Sequence, residues 1–396
     1  MTSRLDVSVK AAALVGLASL AAAMGIGRFA FTPIFPLMQE KLGVTLAEGA
    51  GLATANYIGY LVGACATFTV APKAAASAKW GLIVIALSTL AMGITSTLPT
   101  WFVLRLVAGV ASAFVLVGAS AWALAHLASH GRSDLAGWVF GGVGIGISLA
   151  GVIALASGTL RRTPAQAWAA LGIIALLIAV LTWGRLSMTT AAPKGQEGID
   201  ATRLDSSAWL LVACYGVFGF GYIIPATFIP AAARALVPDP MVFGWAWPVF
   251  GLAAAVSTIG VSTLFRATAP RRVAAMSLLV MAAGVAAPAF DKSLGAVLMS
   301  AVCVGGTFMV VTMAAIQEAR RLSTNPDRLI AALTAAFALG QLAGPMVVTL
   351  SLSAGFGFVL PGAAAAGLLA CSALALLRSG GVTISRNQPL PSERTR

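Results

Sequence analysis

The sequence predicts an all-α integral membrane protein with twelve transmembrane helices, arranged as two six-helix bundles related as parallel repeats. Three observations lead there. Of 396 residues, 59% are hydrophobic and only 9% charged, whereas the surface of a soluble domain needs about 25% charge. The apolar residues form twelve continuous runs, each near the ~20 residues a helix needs to cross ~30 Å of hydrocarbon. The basic residues gather in alternate connections between those runs, as expected of a chain threaded back and forth through a bilayer. These features exclude an ordinary soluble enzyme, a disordered chain and a coiled coil. A membrane β-barrel would show alternating segments of about 10 residues. These runs are instead continuous and rich in Ala, Leu, Gly and Val, and helices satisfy every backbone polar group inside lipid.

In order, the runs cover 9–38, 46–71, 78–97, 100–127, 135–158 and 165–186, then 208–236, 241–265, 273–290, 294–319, 329–352 and 355–377. The first follows Arg4 and Lys10 and contains Ala21-Ala22-Ala23, like a secretory signal; its apolar run continues to Met38, so an uncleaved first helix is expected. The longest polar stretch, 187–207, holds Lys194, Glu197, Asp200, Arg203 and Asp205. It is expected to be a cytoplasmic linker between an N-terminal bundle (1–186) and a C-terminal bundle (208–379). The tail 380–396 is polar, with Pro389 and Pro391, and is expected to be disordered.

With the N-terminus inside, eighteen of the 25 Lys and Arg residues fall in cytoplasmic segments; only Lys41, Arg161, Arg162, Arg234 and Lys292 fall outside. That bias predicts both termini in the cytoplasm. It also accounts for the net charge of +13 through loops facing anionic headgroups, with no nucleic-acid partner. Cys65, Cys214, Cys303 and Cys371 are far apart in apolar runs, and His126 and His130 stand i,i+4 without an acidic or Cys partner; no metal site is expected. The dipeptide Gly-Lys never occurs, so there is no phosphate-binding loop of the Walker type. No catalytic triad or carboxylate pair is evident, so neither an enzyme nor a cofactor is expected.

An internal repeat supports the division into halves. Gly25-x-Gly27 and Pro36 in the first helix match Gly219-x-Gly221 and Pro230 in the seventh, at an offset of 194. Asp134 and Leu149-Ala150-Gly151 match Asp327 and Leu342-Ala343-Gly344 at 193. Six-plus-six parallel repeats are the layout of major facilitator transporters.

Two charges lie inside the runs: Arg28 and Arg105. An arginine at a helix centre costs about 2.5–3.5 kcal/mol on the insertion scale and therefore faces protein or water. On a rise of ~1.5 Å per residue, Arg28 lies about 25 Å above the inner surface and Arg105 roughly 8 Å below the outer one, at similar depth. No acid is evident at that level, so the two are expected to grip an anionic solute, a carboxylate foremost, between them. Snorkelling, or donation to backbone carbonyls at a kinked end of helix one, is the competing structural role. Thr32, Asn56, Tyr57, Tyr60, Tyr222 and Gln341 complete the substrate-binding candidates, with Tyr215, Phe218 and Tyr222 sharing a face of helix seven. Asp134 and Glu318, beside Arg132, Arg320 and Arg321, are gating or coupling candidates. Gly25 and Gly27 allow close approach beside Arg28, Pro33 and Pro36 are expected to bend the outer end, and Gly146, Gly151, Gly344 and Pro345 are hinge or packing candidates. The helix-five series Gly141, Gly142, Gly144, Gly146 and Gly151, with Gly340 and Gly344-Pro345 in the matching part of helix eleven, reads as a hinge seam between the halves, with plain packing as the alternative. Trp138, Trp245 and Trp247 read as interface anchors or cavity walls.

The stretch Gly25-Ile26-Gly27-Arg28-Phe29-Ala30-Phe31-Thr32-Pro33-Ile34-Phe35-Pro36-Leu37-Met38 resembles the signature of the YbfB/YjiJ-type branch of the major facilitator superfamily, as does Gly142-Val143-Gly144-Ile145-Gly146-Ile147-Ser148-Leu149-Ala150-Gly151. Arg105-x-x-x-Gly109 resembles the superfamily's helix-four motif, whose arginine is implicated in coupling or substrate contact. The loop 71–80 departs from the superfamily pattern, since it holds Lys73 and Lys79 but no acid. The resemblance implies an inner-membrane permease, a secondary active transporter working by alternating access. The expectation is ion-coupled movement of a small organic anion, with protons as the candidate coupling ion and the lipid bilayer as the other partner. A drug or metabolite exporter, or a non-transporting sensor or assembly protein on the same scaffold, are the alternatives.

Overall fold

The computed structural model describes residues 7–70, 72–187, 205–236, 244–291, 293–323, 325–355 and 359–379. Most of the linker 187–207 and the tail 380–396 lie outside the described residues, as do the first residues expected in helix eight, 241–243. Among the described residues the structure is all-helical, with twelve long helices: α1 (Val9–Leu42), α2 (Leu46–Val70), α3 (Ala74–Ile94), α4 (Leu98–Ser129), α5 (Ala136–Thr159), α6 (Pro164–Ser187), α7 (Ser206–Leu236), α8 (Ala246–Leu264), α9 (Pro270–Phe290), α10 (Leu294–Leu322), α11 (Pro326–Ser353) and α12 (Val359–Ser379). Eleven are long and apolar enough to cross a membrane. The twelfth, α2, is 25 residues long, and its apolar run is diluted by Asn56, Tyr57 and Tyr60.

Local chemistry sets the ends. Gly43, at φ 68°, closes α1 in the left-handed conformation that glycine adopts without strain. Two residues later Thr45 Oγ1 accepts from Glu48 N at 3.2 Å while Glu48 Oε2 accepts from Thr45 N at 2.8 Å, a capping box that starts α2. Prolines open α6, α9 and α11, where the missing N–H costs nothing. Hydropathy alone therefore starts α9 and α11 three residues late, because it misses a polar first turn.

Within the first half α1 packs on α5, α2 on α4, and α3 on α4 and α6; within the second, α7 packs on α11 and α12, and α9 on α10 and α12. The halves meet along α5–α8 and α2–α11. The outside carries exposed Leu14, Val103, Leu177, Val256, Leu298 and Leu350, an apolar belt that lipid, not water, would cover. Trp138 and Trp245 are exposed, in keeping with anchors rather than cavity walls, whereas Trp247 stacks on Phe250 at 5.4 Å.

Two expectations need correction. The first helix does not break at its prolines. It breaks before them, at a π-helical segment Ala21–Ile26 and the turn that follows, with Gly27 N bonding Ala22 O at 2.9 Å and Phe29 N bonding Met24 O at 3.1 Å; the second arm, Phe31–Leu42, then runs on as α-helix through Pro36. The helix-five glycines do not form one seam either. Gly142 and Gly146 face α1 inside the first half, against the carbonyls of Leu17 and Ala21, and Gly25 meets Gly146 there. Gly141, Gly144 and Gly151 face α8, against Ile259, Ala255 and Pro248, where Ser148 Oγ donates to Pro248 O at 2.9 Å. Gly344 faces Ile223 of α7 within the second half, and Pro345 lies inside α11. Of the three glycines among the hinge candidates, Gly151 is the one set against the other half.

Candidate functional site

A π-turn widens the helix and releases carbonyls from their usual donors. Here other helices supply the donors. Arg105 Nη1 donates to Gly27 O and Nη2 to Arg28 O, both at 3.1 Å. Asn56 Nδ2 donates to Arg105 O at 2.9 Å and Gly27 O at 3.4 Å, and Ser112 Oγ to Ala23 O at 2.8 Å. Close approach makes this possible: a Cβ on Gly109 of α4 would overlap the Asn56 carbonyl of α2, and one on Gly27 would press on Ser112. Arg105 also lies over the Phe31 ring at 5.1 Å. Arg105 thus takes the competing structural role, donation to backbone carbonyls at the kinked end of helix one, and the terminal nitrogens that would have shared an anion with Arg28 are occupied. Arg105 and Asn56 clamp the broken backbone. Removing Arg105 orphans the Arg28 carbonyl and leaves Gly27 O with only the longer Asn56 bond, at about 1–3 kcal/mol each, so Arg105→Ala is expected to lower the melting temperature by about 2–7 °C. Unchanged melting would show the clamp to be dispensable.

Arg28 points the other way. It is 3% exposed, and its Nη2 donates to Gln341 Oε1 on α11, across the halves. Its guanidinium lies 3.7 Å from the Tyr60 ring centre, 5.4 Å from Phe29 and 5.9 Å from Tyr57. No acid pairs with it among the described residues. Arg28 Nε and Nη1 and Gln341 Nε2 are buried with no protein acceptor. Each is a donor; Asn56 Oδ1, on the clamp side of the helix break, is a buried acceptor left without a partner.

The second half supplies rings. Tyr222 stacks on Phe308 at 4.9 Å and Phe29 meets Phe308 edge-on at 5.9 Å, a contact between the halves. Phe337 and Phe218 extend this wall, and Tyr215 donates to Thr312 Oγ1 at 3.2 Å. The structure thus brings together Arg28, Tyr57, Tyr60, Tyr222 and Gln341 of the expected set. Thr32 is half-buried and makes no polar contact with Arg28 among the described residues. Asp134 pairs with Arg132 at 2.9 Å, with Arg266 of the second half close enough to act on it. Glu318 is 7% exposed. The sequence reading missed Phe29, Phe308, Phe337 and Ser112. Phe29 adjoins Arg28 in sequence, but nothing in a run of apolar residues marks Phe308 or Phe337 out from packing.

The comparisons agree with this architecture. The family described as "Uncharacterised MFS-type transporter YbfB" matches residues 20–377. No curated protein matches the chain in sequence. Among solved structures, the crystal structure of the human organic anion transporter MFSD10 (TETRAN) is similar, with a TM-score of 0.69 at 14% identity, covering 93% of this chain and 98% of that one. At that identity the likeness shows the shared fold.

Proposed function

This chain belongs to the YbfB family of MFS-type transporters, and from that premise we propose that it carries a small organic anion across the membrane by alternating access, held on Arg28. It is a multi-pass membrane transporter of a small-molecule solute, not an enzyme. What supports the anion is one observation: a guanidinium buried to 97% with no carboxylate beside it and two nitrogens without an acceptor. A buried lone cation is costly, and a solute carboxylate supplies both charge and acceptors. Arg28 stands on α1 and its partner Gln341 on α11, so a ligand there touches both halves, as rocking requires. The boundaries 1–186 and 208–379, an inner-membrane location and cytoplasmic termini belong to this same reading. The solved organic anion transporter shares the fold; the substrate reading for this chain rests on Arg28.

In proteoliposomes, saturable uptake of carboxylates is expected to fall roughly 100-fold in Arg28→Gln, for about 3 kcal/mol of lost charge-assisted bonding. Flux of cationic or neutral dyes that ignores this substitution would instead mark an exporter.

The coupling ion in this reading is the proton, which cancels the charge moved with the anion, worth about 2.3 kcal/mol per 100 mV. Among the described residues Glu318 is the one acid more than nine-tenths buried, so in this reading the proton is carried by Glu318 or by the solute itself. Where Glu318 carries it, Glu318→Gln is expected to abolish accumulation driven by a pH gradient while sparing exchange of labelled for unlabelled solute. Full accumulation in this variant would remove Glu318 from coupling.

A further inference from the structure

The geometry points to a narrower ligand class than anions at large: a monocarboxylate with an aromatic body. This rests on the anion reading of Arg28 and concerns the part of the solute that Arg28 does not hold.

The charge count comes first. Among the described residues Arg28 is the guanidinium at the seam between the halves with two nitrogens unmatched; both terminal nitrogens of Arg105 already donate to the carbonyls of Gly27 and Arg28, which leaves only its Nε. The other buried cationic candidates sit elsewhere: His126 bonds Val7 O at 2.8 Å, and Arg271 opens α9. One carboxylate is matched by the free donors of Arg28; a second would find the terminal N–H groups of Arg105 already taken by backbone carbonyls and would be buried with its acceptors unsatisfied, which is unfavourable.

The polar atoms come next. Arg28 Nε and Nη1 and Gln341 Nε2 are all donors, and the unpartnered acceptor Asn56 Oδ1 belongs to the clamp with Arg105, so the ligand atoms that meet Arg28 and Gln341 must be acceptors. A carboxylate meets that need, and an ammonium or an amide N–H does not.

The walls decide the body. Tyr60 lies against the guanidinium, and Phe29 of the first half meets Phe308 of the second, which stacks on Tyr222. Phe29, Tyr60, Tyr222 and Phe308 are each 6% exposed or less. When the halves part, ring–ring contacts between them are what is lost. A planar ring attached to the carboxylate restores edge and face contacts of the same kind, whereas the hydroxyls of a sugar acid would meet ring faces that cannot solvate them.

The test uses the purified full-length protein, with ligand-induced thermal shift and counterflow in proteoliposomes. The probes are benzoate, phenylacetate, cyclohexanecarboxylate, succinate, benzyl alcohol and benzylammonium. Benzoate or phenylacetate is expected to bind about 10-fold more tightly than cyclohexanecarboxylate, the difference that ring contacts supply. Succinate, benzyl alcohol and benzylammonium are expected to give no shift. Phe308→Leu is expected to shrink the ratio of benzoate to cyclohexanecarboxylate affinity towards one. If that variant does not fold, Tyr222→Leu and the wild-type ratio carry the same test. Binding of succinate or cyclohexanecarboxylate as tight as benzoate, lost in Arg28→Gln, overturns the aromatic class and leaves the anion reading standing. Binding of benzyl alcohol as tight as benzoate and indifferent to Arg28→Gln overturns both, as does the failure of every carboxylate.

Discussion

Gln341→Glu is expected to arrest transport while making the protein harder to melt. In the native chain Gln341 Oε1 accepts from Arg28 Nη2 across the two halves. That contact is one neutral acceptor on a buried cation, weak enough for a ligand to displace. A carboxylate at the same place supplies within the chain the anion that Arg28 lacks. Arg28 is already desolvated, so the new charge neutralises an existing buried one instead of creating a second isolated ion. The native bond already has an ionised donor, so the added negative charge contributes an increment of about 1–2 kcal/mol, which shifts the closed-to-open equilibrium roughly 5- to 30-fold. Uptake should fall by that factor, the melting temperature should rise, and added carboxylates should no longer raise it further. Wild-type uptake with Gln341→Glu would mean that Arg28 and Gln341 do not separate during the cycle.

The second large effect is expected from two neighbouring glycines of α5 that fail in different ways. A Cβ on Gly144 would overlap the amide of Ala255 and the carbonyl of Gly251, both on α8 in the other half. A Cβ on Gly146 would overlap the Ala21 carbonyl on α1, inside its own half. All of these are backbone atoms, which cannot swing aside as a side chain can. Overpacking costs about 1–3 kcal/mol or more. For Gly146→Val that cost falls on the fold, next to the π-segment that presents Arg28, so the expected result is loss of monodisperse protein. For Gly144→Val the halves can separate at the seam to relieve the overlap. The expected result is a folded protein, with a melting temperature within a few degrees of native and uptake reduced roughly 10- to 100-fold. Size-exclusion profiles and flux on the same preparations check both. If both variants fold and transport, the seam is looser than the packing implies.

Much of the site was legible in the chain, and its misreadings have physical causes. Arg28 stood out because an arginine deep in an apolar run is costly wherever it points, and Tyr215, Phe218 and Tyr222 share a face by helical spacing alone. Arg105 stood out for the same reason, yet its partners are the carbonyls of Gly27 and Arg28. Nothing in the sequence marks a π-segment whose backbone needs outside donors, and proline, the residue that usually signals a break, lies beyond it. Asn56 joins the same clamp through Nδ2, while its Oδ1 is buried without a partner.

The sequence by itself determined the class of protein, the count and order of the helices, and the presence of a buried cation short of a partner. Those follow from the bilayer, which acts on each segment's polarity along one dimension. Tertiary structure decided which arginine stays available and which is a clamp, and which glycines join the halves and which hold one half together. Gly142 and Gly146 are four residues apart and share the face towards α1; Gly141, Gly144 and Gly151 lie on the face towards α8. Spacing alone sorts these glycines into two stripes. Which neighbour each stripe meets depends on how the helix is rotated about its axis, and packing in three dimensions sets that rotation.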